Sequence, residues 1–180
     1  IVFNDYINIT GPSAIVNVTP TFGCLPFPVC FNAVSSNTAI YIWDFGNGSV
    51  DLSNTDTVCY TYPNEGIYFP QVILNNGNGC VYSVPLDTIT VSVVHAGFTI
   101  SGNDFCNSGT VAFTDTSHAI VPITTWNWNF GDAASGALNT STLQNPTHTY
   151  SSPGNYIVTL TAGDALSCSA IFSDTIIVHQ

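Results

Sequence analysis

The 180-residue sequence has no lysine, no arginine and no methionine, and its one glutamate is Glu65. Eleven acidic residues against no cation leave a formal net charge of −11. Binding to nucleic acid is driven by counterion release from phosphates that Lys and Arg neutralise, so DNA, RNA and anionic membrane surfaces are expected to be poor partners. Each Asp also lacks a Lys or Arg partner, so acidic groups must be solvated, hydrogen-bonded or metal-bound. Only 6% of residues are charged, where roughly 25% is usual. Disorder is excluded all the same, because 45% of the residues are hydrophobic and 12% aromatic. No apolar run reaches the ~18 residues needed to span a bilayer, so no membrane insertion is expected. There is no C-x-x-C pair, and His95, His118, His148 and His179 do not cluster beside cysteines, which argues against zinc. No G-x-S-x-G elbow frames a Ser-His-Asp triad, and one glutamate leaves little material for a tuned carboxylate pair. No catalytic residue is assigned, and the chain is expected not to be an enzyme.

Six cysteines and four Asn-x-Ser/Thr matches, at Asn8, Asn17, Asn47 and Asn139, point to an oxidising, extracellular setting. The first ten residues lack the features of a signal peptide, and the chain is expected to be a piece of a longer one. Alternation with period two recurs in Val29 and Phe31; in Tyr41, Trp43 and Phe45; in Tyr68, Val72 and Leu74; and in Tyr156, Val158 and Leu160. This is the pattern of half-buried antiparallel strands. Between these segments lie Gly, Asn, Ser, Thr and Pro, the residues of turns. The sequence predicts an all-β sandwich.

An internal repeat organises it. Cys24, Val29 and Phe31 recur as Cys106, Val111 and Phe113 at an offset of 82; Trp43, Phe45 and Gly46 recur as Trp128, Phe130 and Gly131 at 85; and Thr61, Tyr62, Gly66, Tyr68 and Cys80 recur as Thr149, Tyr150, Gly154, Tyr156 and Cys168 at 88. A closing strand, 87–91, returns at 174–178 and also near the start, as Asp5 to Ile9. Residues 1–12 are therefore expected to be the last strand of a preceding repeat, with complete domains at 13–95 and 96–180.

Trp43-Asp44-Phe45-Gly46-Asn47-Gly48 and Trp128-Asn129-Phe130-Gly131-Asp132, each followed by Thr-Tyr and then Gly-x-Tyr, resemble the W-D-F-G-D-G and H-T-Y-x-x-x-G-x-Y signatures of the PKD (polycystic kidney disease) domain. The resemblance covers nearly the whole chain. It implies two tandem immunoglobulin-like β-sandwiches of about seven strands each, agreeing with the strand reading. The sequence departs from the pattern at Tyr60, which replaces the usual His, and at Asn129, which replaces the Asp. Pro70 stands where the second copy has Val158, and a Pro removes a ladder donor from a strand.

Within this frame Trp43, Phe45, Gly46, Tyr62, Trp128, Phe130, Gly131 and Tyr150 are expected to be structural. His148 is read as structural too, because the sister position holds Tyr60. Repeat equivalence pairs Cys24 with Cys80 and Cys106 with Cys168, one staple per copy; Cys30 and Cys59, equivalent to Ala112 and Thr147, are left as a cross-strand bridge. No cofactor is assigned. Calcium is the metal that the Asp and Asn residues near the repeat junctions would suit, although no D-x-D-x-D-G loop is present. Thr57, Thr88 and Thr175, in Asp-Thr-aliphatic triplets, resemble the O-glycosylation signal of secreted Bacteroidota proteins. The cysteine-bearing repeats likewise resemble those of large Bacteroidota surface adhesins, some of them linked to gliding motility. This resemblance implies a non-catalytic stalk or adhesive array at the cell surface, with neighbouring PKD repeats, glycans or other surface proteins as partners. The alternative is an accessory carbohydrate- or protein-binding module of a secreted hydrolase.

Overall fold

The computed structural model describes residues 11–102 and 104–180; the strand expected at Asp5 to Ile9 lies outside them. The chain forms two compact units, divided between Val91 and Ser92. Its strands are β1 (Ser13–Thr19), β2 (Phe22–Cys24), β3 (Phe27–Ser36), β4 (Ile40–Asp44), β5 (Val50–Asp51), β6 (Thr57–Tyr62), β7 (Gly66–Tyr68), β8 (Gln71–Asn75), β9 (Val81–Pro85) and β10 (Ile89–Ser92), then β11 (Phe98–Ile100), β12 (Asp104–Cys106), β13 (Gly109–Asp115), β14 (Ile123–Asn129), β15 (Thr140–Ser141), β16 (Thr147–Tyr150), β17 (Gly154–Asp164) and β18 (Ser169–His179). The described residues contain no α-helix; a 3₁₀ segment, Ala133–Asn139, is interrupted at Gly136.

The second unit is the more regular. Strands β11, β13 and β16 form one sheet, and β12, β18, β17, β14 and β15 the other. The first unit has the same plan with its second layer in two pieces, β2-β10-β7 and β5-β4-β8-β9, opposite β1-β3-β6. Pro70 is one cause. It is buried and lies between β7 and β8, whereas Val158 lies inside the unbroken β17. Without an N–H the proline cannot continue the ladder, and its carbonyl instead accepts from Leu86 N at 3.0 Å. Strand β7 then pairs with β10, and β8 with β4 and β9.

Period-two alternation builds each core. Along β3, Phe27, Val29, Phe31 and Ala33 are buried, and the residues between them are exposed. The first core holds Val29, Phe31, Trp43, Phe45, Tyr62, Val72, Leu74, Ile89 and Val91; the second holds Val111, Phe113, Trp128, Phe130, Tyr150, Leu160, Ala162, Ile176 and Val178 at the corresponding places. Full burial of an aliphatic or aromatic side chain of this kind contributes about 1.5–3 kcal/mol.

Cys30 and Cys59 are directly opposed on β3 and β6 and form a disulfide. The two staples expected within the copies are absent: Cys80 and Cys106 carry free, exposed thiols. The reason is strand direction. Strand β12 runs parallel to β18, with Cys106 opposite His179, whereas Cys168 precedes the other end of β18. An eleven-residue strand is roughly 33 Å long, and disulfide-bonded Cα atoms are usually within about 7 Å. In the first unit, likewise, β2 lies beside β10, where Thr90 N donates to Thr21 O at 2.9 Å, while Cys80 precedes β9.

Candidate functional site

The W-x-F-G segment ends the strand β4 in one unit and β14 in the other. Alternation turns both Trp43 and Phe45 inward, and the indole N–H of Trp43 donates to Thr55 O at 2.9 Å. Trp128 does the same to Leu143 O, also at 2.9 Å. The glycine that follows has positive φ, +75° at Gly46 and +72° at Gly131. A Cβ there would lie 2.7 Å from Phe69 N in one unit and 2.8 Å from Ile157 N in the other. Gly46 N donates to Asp44 Oδ1 and Gly131 N to Asn129 Oδ1, both at 2.9 Å. The turn needs one side-chain oxygen, which Asn supplies as well as Asp. The buried Tyr62 and Tyr150 hydroxyls donate to Phe45 O and Phe130 O at 2.9 Å, tying the second motif to the first. Burial first, and then neighbouring phenols and the carboxylates of Asp44 and Asp132, push both phenols above their ordinary range.

His148 and Tyr60 play one part with different chemistry. Each ring stacks on the motif phenylalanine, His148 on Phe130 at 4.4 Å and 12°, and Tyr60 on Phe45 at 4.0 Å and 9°. Its polar edge is held by the loop after the glycine. His148 Nε2 donates to Asp132 Oδ2 at 3.1 Å, both residues being buried. The Tyr60 hydroxyl accepts from Asn47 Nδ2 at 2.9 Å and donates to Ser49 Oγ at 3.1 Å. Asp132, with no Lys or Arg available, is satisfied by a hydrogen bond from a histidine sixteen residues away.

The surface of the second unit holds an open cleft of about 450 Å³ beside Asp115, His118, Ile120, Trp126 and Gln144. Asp115 Oδ2 accepts from Trp126 Nε1 at 2.7 Å and Gln144 Nε2 at 3.1 Å, and Oδ1 accepts from Ser117 N at 2.9 Å. Burial alone would raise this carboxyl, but the hydrogen bonds from Ser117, Gln144 and Trp126 outweigh it and hold it below the usual range. Asp115 and Trp126 take the places of Ala33 and Tyr41 in the first repeat. The carboxylate gained in one copy, with a larger aromatic ring on the strand that follows, was the difference between copies that the sequence offered. Among the described residues, no three His, Cys, Asp or Glu side chains gather into a metal cluster.

Residues 13–84 and 99–178 each match the PKD domain family. The chain belongs to the PKD family, as two domains in tandem. PKD domains are non-catalytic, immunoglobulin-like modules found often in extracellular proteins. The PKD1 domain of the Vibrio cholerae metalloprotease PrtV is 29% identical, covering 49% of this chain and 98% of that domain with a TM-score of 0.38. DIP-gamma IG1+IG2 covers 95% of this chain and 99% of its own at a TM-score of 0.55 and 7% identity, a likeness of fold alone. A polycystin-1-like protein 1 from Oryzias latipes is 25% identical over 140 residues, 78% of this chain; the chain spans 5% of that relative's length.

In both PKD domains a further repeated device shapes the last hairpin. Asn76 Oδ1 accepts from Asn78 N and Cys80 N at 2.9 and 3.1 Å, and Asp164 Oδ1 from Leu166 N and Cys168 N at 2.9 Å each. Thr57, Thr88 and Thr175 are all exposed. Of the Asn-x-Ser/Thr positions, Asn17 is exposed on β1, whereas the Asn47 and Asn139 side chains are half-buried and engaged, Asn139 Oδ1 accepting from Asp132 N at 2.7 Å. No helix among the described residues is long and apolar enough to cross a membrane.

Proposed function

We propose that these PKD domains are a non-catalytic, extracellular repeat segment of a large cell-surface protein, serving as a stalk or as part of an adhesive array. The observation that carries this reading is the direction of the motif's polar groups. The indoles, phenols, turn carboxylate or amide, and the His148–Asp132 pair are all spent on contacts inside each domain. What remains outside is rich in hydroxyls and amides and poor in charge, a surface suited to neighbouring repeats, glycans or other surface proteins through hydrogen bonds. The surface-adhesin reading, including the link to gliding motility, and O-glycosylation at the exposed Thr57, Thr88 and Thr175 belong to the same proposal. Antibodies raised against the chain should label intact source cells, and labelling that requires permeabilised cells would overturn it.

The cleft beside Trp126 favours a second reading, an accessory carbohydrate- or protein-binding module of a secreted hydrolase. A half-buried indole flanked by Asp115 and Gln144 offers a stacking face and polar groups to a sugar. Screening the chain against a polysaccharide array separates the two. Specific binding that Trp126→Ala abolishes selects the module, and absence of binding leaves the stalk.

A further inference from the structure

Asn-Gly dipeptides occur at Asn47, Asn76 and Asn78. In such a pair the glycine nitrogen can attack the asparagine side-chain amide, because glycine has no Cβ to obstruct the five-membered ring and turns freely into the conformation that closes it. The sequence offers three equal sites, and the fold makes them unequal. Asn47 is held at both ends, Nδ2 donating to the Tyr60 hydroxyl at 2.9 Å and Oδ1 accepting from Ser49 N at 3.0 Å. At Asn76, Oδ1 accepts from Asn78 N and Cys80 N, and the Gly77 nitrogen that would attack already donates to Asn75 Oδ1 at 2.8 Å. Asn78 differs. It is exposed in the hairpin between β8 and β9, and no described residue hydrogen-bonds its side chain. Gly79 is exposed too, has φ +93°, and would meet nothing within 4 Å of an added Cβ. Its N–H donates to no described residue. An open cleft of about 340 Å³, lined by Asn78 with Asn37, Thr38, Ala39 and Asn76, admits water to the same place.

We propose that Asn78 is a site of spontaneous modification, converted through a succinimide to aspartate or isoaspartate in a step that opens the last hairpin of the first domain. The bond from Gly79 N to Asn78 Cγ forms as the bond from Cγ to Nδ2 breaks, the Gly79 N–H proton passes to the departing nitrogen, and ammonia leaves. One water then opens the ring, and no oxidant, reductant or cofactor takes part. Attack at the side-chain carbonyl gives aspartate. Attack at the main-chain carbonyl gives isoaspartate, whose backbone runs through Cβ and is one carbon longer. Either product replaces a neutral amide by a carboxylate in a chain that has no Lys or Arg to offset it. The longer form falls inside a turn closed from both sides, Asn76 N donating to Cys80 O at 3.2 Å and Cys80 N to Asn76 Oδ1 at 3.1 Å. An extra carbon between these two residues displaces the Cys80 end of both bonds, beside an exposed thiol. The matching hairpin of the second domain, 164–168, contains neither Asn nor Gly, so the change is confined to one domain. With ammonia lost the step does not reverse, and it records the age of that domain.

The test is peptide mapping of the 180-residue chain after incubation at mildly alkaline pH, both folded and in denaturant. Because the chain has no Lys or Arg, chymotrypsin replaces trypsin, and cleavage after Leu74 and Tyr82 yields residues 75–82 with Asn76 and Asn78 together. Electron-transfer fragmentation places the amide-to-acid mass change and separates aspartate from isoaspartate. In the folded chain Asn78 should convert at least tenfold faster than Asn76 or Asn47, and in denaturant the three rates should converge to within a few-fold. Both products should form, since direct hydrolysis of the side chain gives aspartate alone. Amide hydrogen exchange at Cys80 should be at least tenfold faster in the isoaspartate form, with that at Cys168 unchanged. Conversion of Asn76 or Asn47 as fast as that of Asn78 in the folded chain, an Asn78 that stays intact while the denatured chain converts, or unchanged exchange at Cys80 would overturn the proposal.

Discussion

Tyr60 and His148 show that a residue's place in a PKD domain is set by its shape and one polar edge. Both are flat rings on a phenylalanine, and each copy supplies the partner its ring needs, Asn47 and Ser49 for a hydroxyl and Asp132 for an imidazole. The phenols of Tyr62 and Tyr150 admit no such exchange, since each satisfies a backbone carbonyl inside the core. Tyr150→Phe keeps the packing but leaves Phe130 O without this donor. It should destabilise the second domain by about 1–3 kcal/mol, read as a shift in denaturation midpoint at unchanged slope. Asp115 is a carboxyl at which acid should act on the second domain. Its carboxyl titrates below its unfolded value because hydrogen bonds outweigh burial, so its contribution is full above about pH 4 and is lost as pH falls through the lower, folded value. Melting temperatures from pH 7 to 2 should therefore fall more steeply below pH 4 in the parent than in Asp115→Asn, and equal slopes would remove Asp115 from the account.

Among the strands, the two copies share register even where their chemistry differs. Cys30 opposes Cys59 on β3 and β6, and Ala112 opposes Thr147 on β13 and β16, all four being exposed. The double substitution Ala112→Cys with Thr147→Cys should transplant the bridge. A closed loop of this length contributes roughly 3–4 kcal/mol in the loop-entropy description. Mass spectrometry after thiol alkylation should find residues 112 and 147 unlabelled, and the second domain should unfold at higher denaturant concentration until reductant is added. Labelling of both positions in the folded protein would show that shared register is not sufficient. Pro70 marks the opposite case. One residue divides in the first domain a strand that runs unbroken from Gly154 to Asp164 in the second.

For the chain as a whole, the absence of cations sets the response to salt. Carboxylates repel one another with no Lys or Arg to offset them, and the contact of His148 with Asp132 is buried and little screened. Added electrolyte should stabilise the protein. Between about 10 and 150 mM salt the melting temperature should rise by ~2–4 °C, equivalent to about 0.5 kcal/mol for domains of this size. Sodium and tetramethylammonium chlorides should act alike if the effect is screening. A fall in melting temperature would reveal favourable ion pairs that the composition denies.

Much of the fold was legible because the chain states it twice. Trp43 and Trp128, Gly46 and Gly131, and Tyr62 and Tyr150 are the same residue types at nearly the same spacing, and the period-two alternation around them assigns the buried face. The sequence by itself therefore determined the strand class, the two domains and their motif. Asp132 and His148, sixteen residues apart, stand where the other copy has Asn47 and Tyr60, so their pairing carries no such signal. Nor do Asp115, Trp126 and Gln144; only the strand pairing and the loops bring each group together. The cysteines mark the boundary most sharply. Repeat equivalence says that Cys24 corresponds to Cys106 and Cys80 to Cys168, which is a relation between copies. Whether two cysteines meet within a copy depends on strand direction, and the parallel pairing of β12 with β18 sets Cys106 and Cys168 toward opposite ends of one strand. Direction is a property of how the chain closes on itself, and local periodicity, being the same read either way along a strand, does not record it.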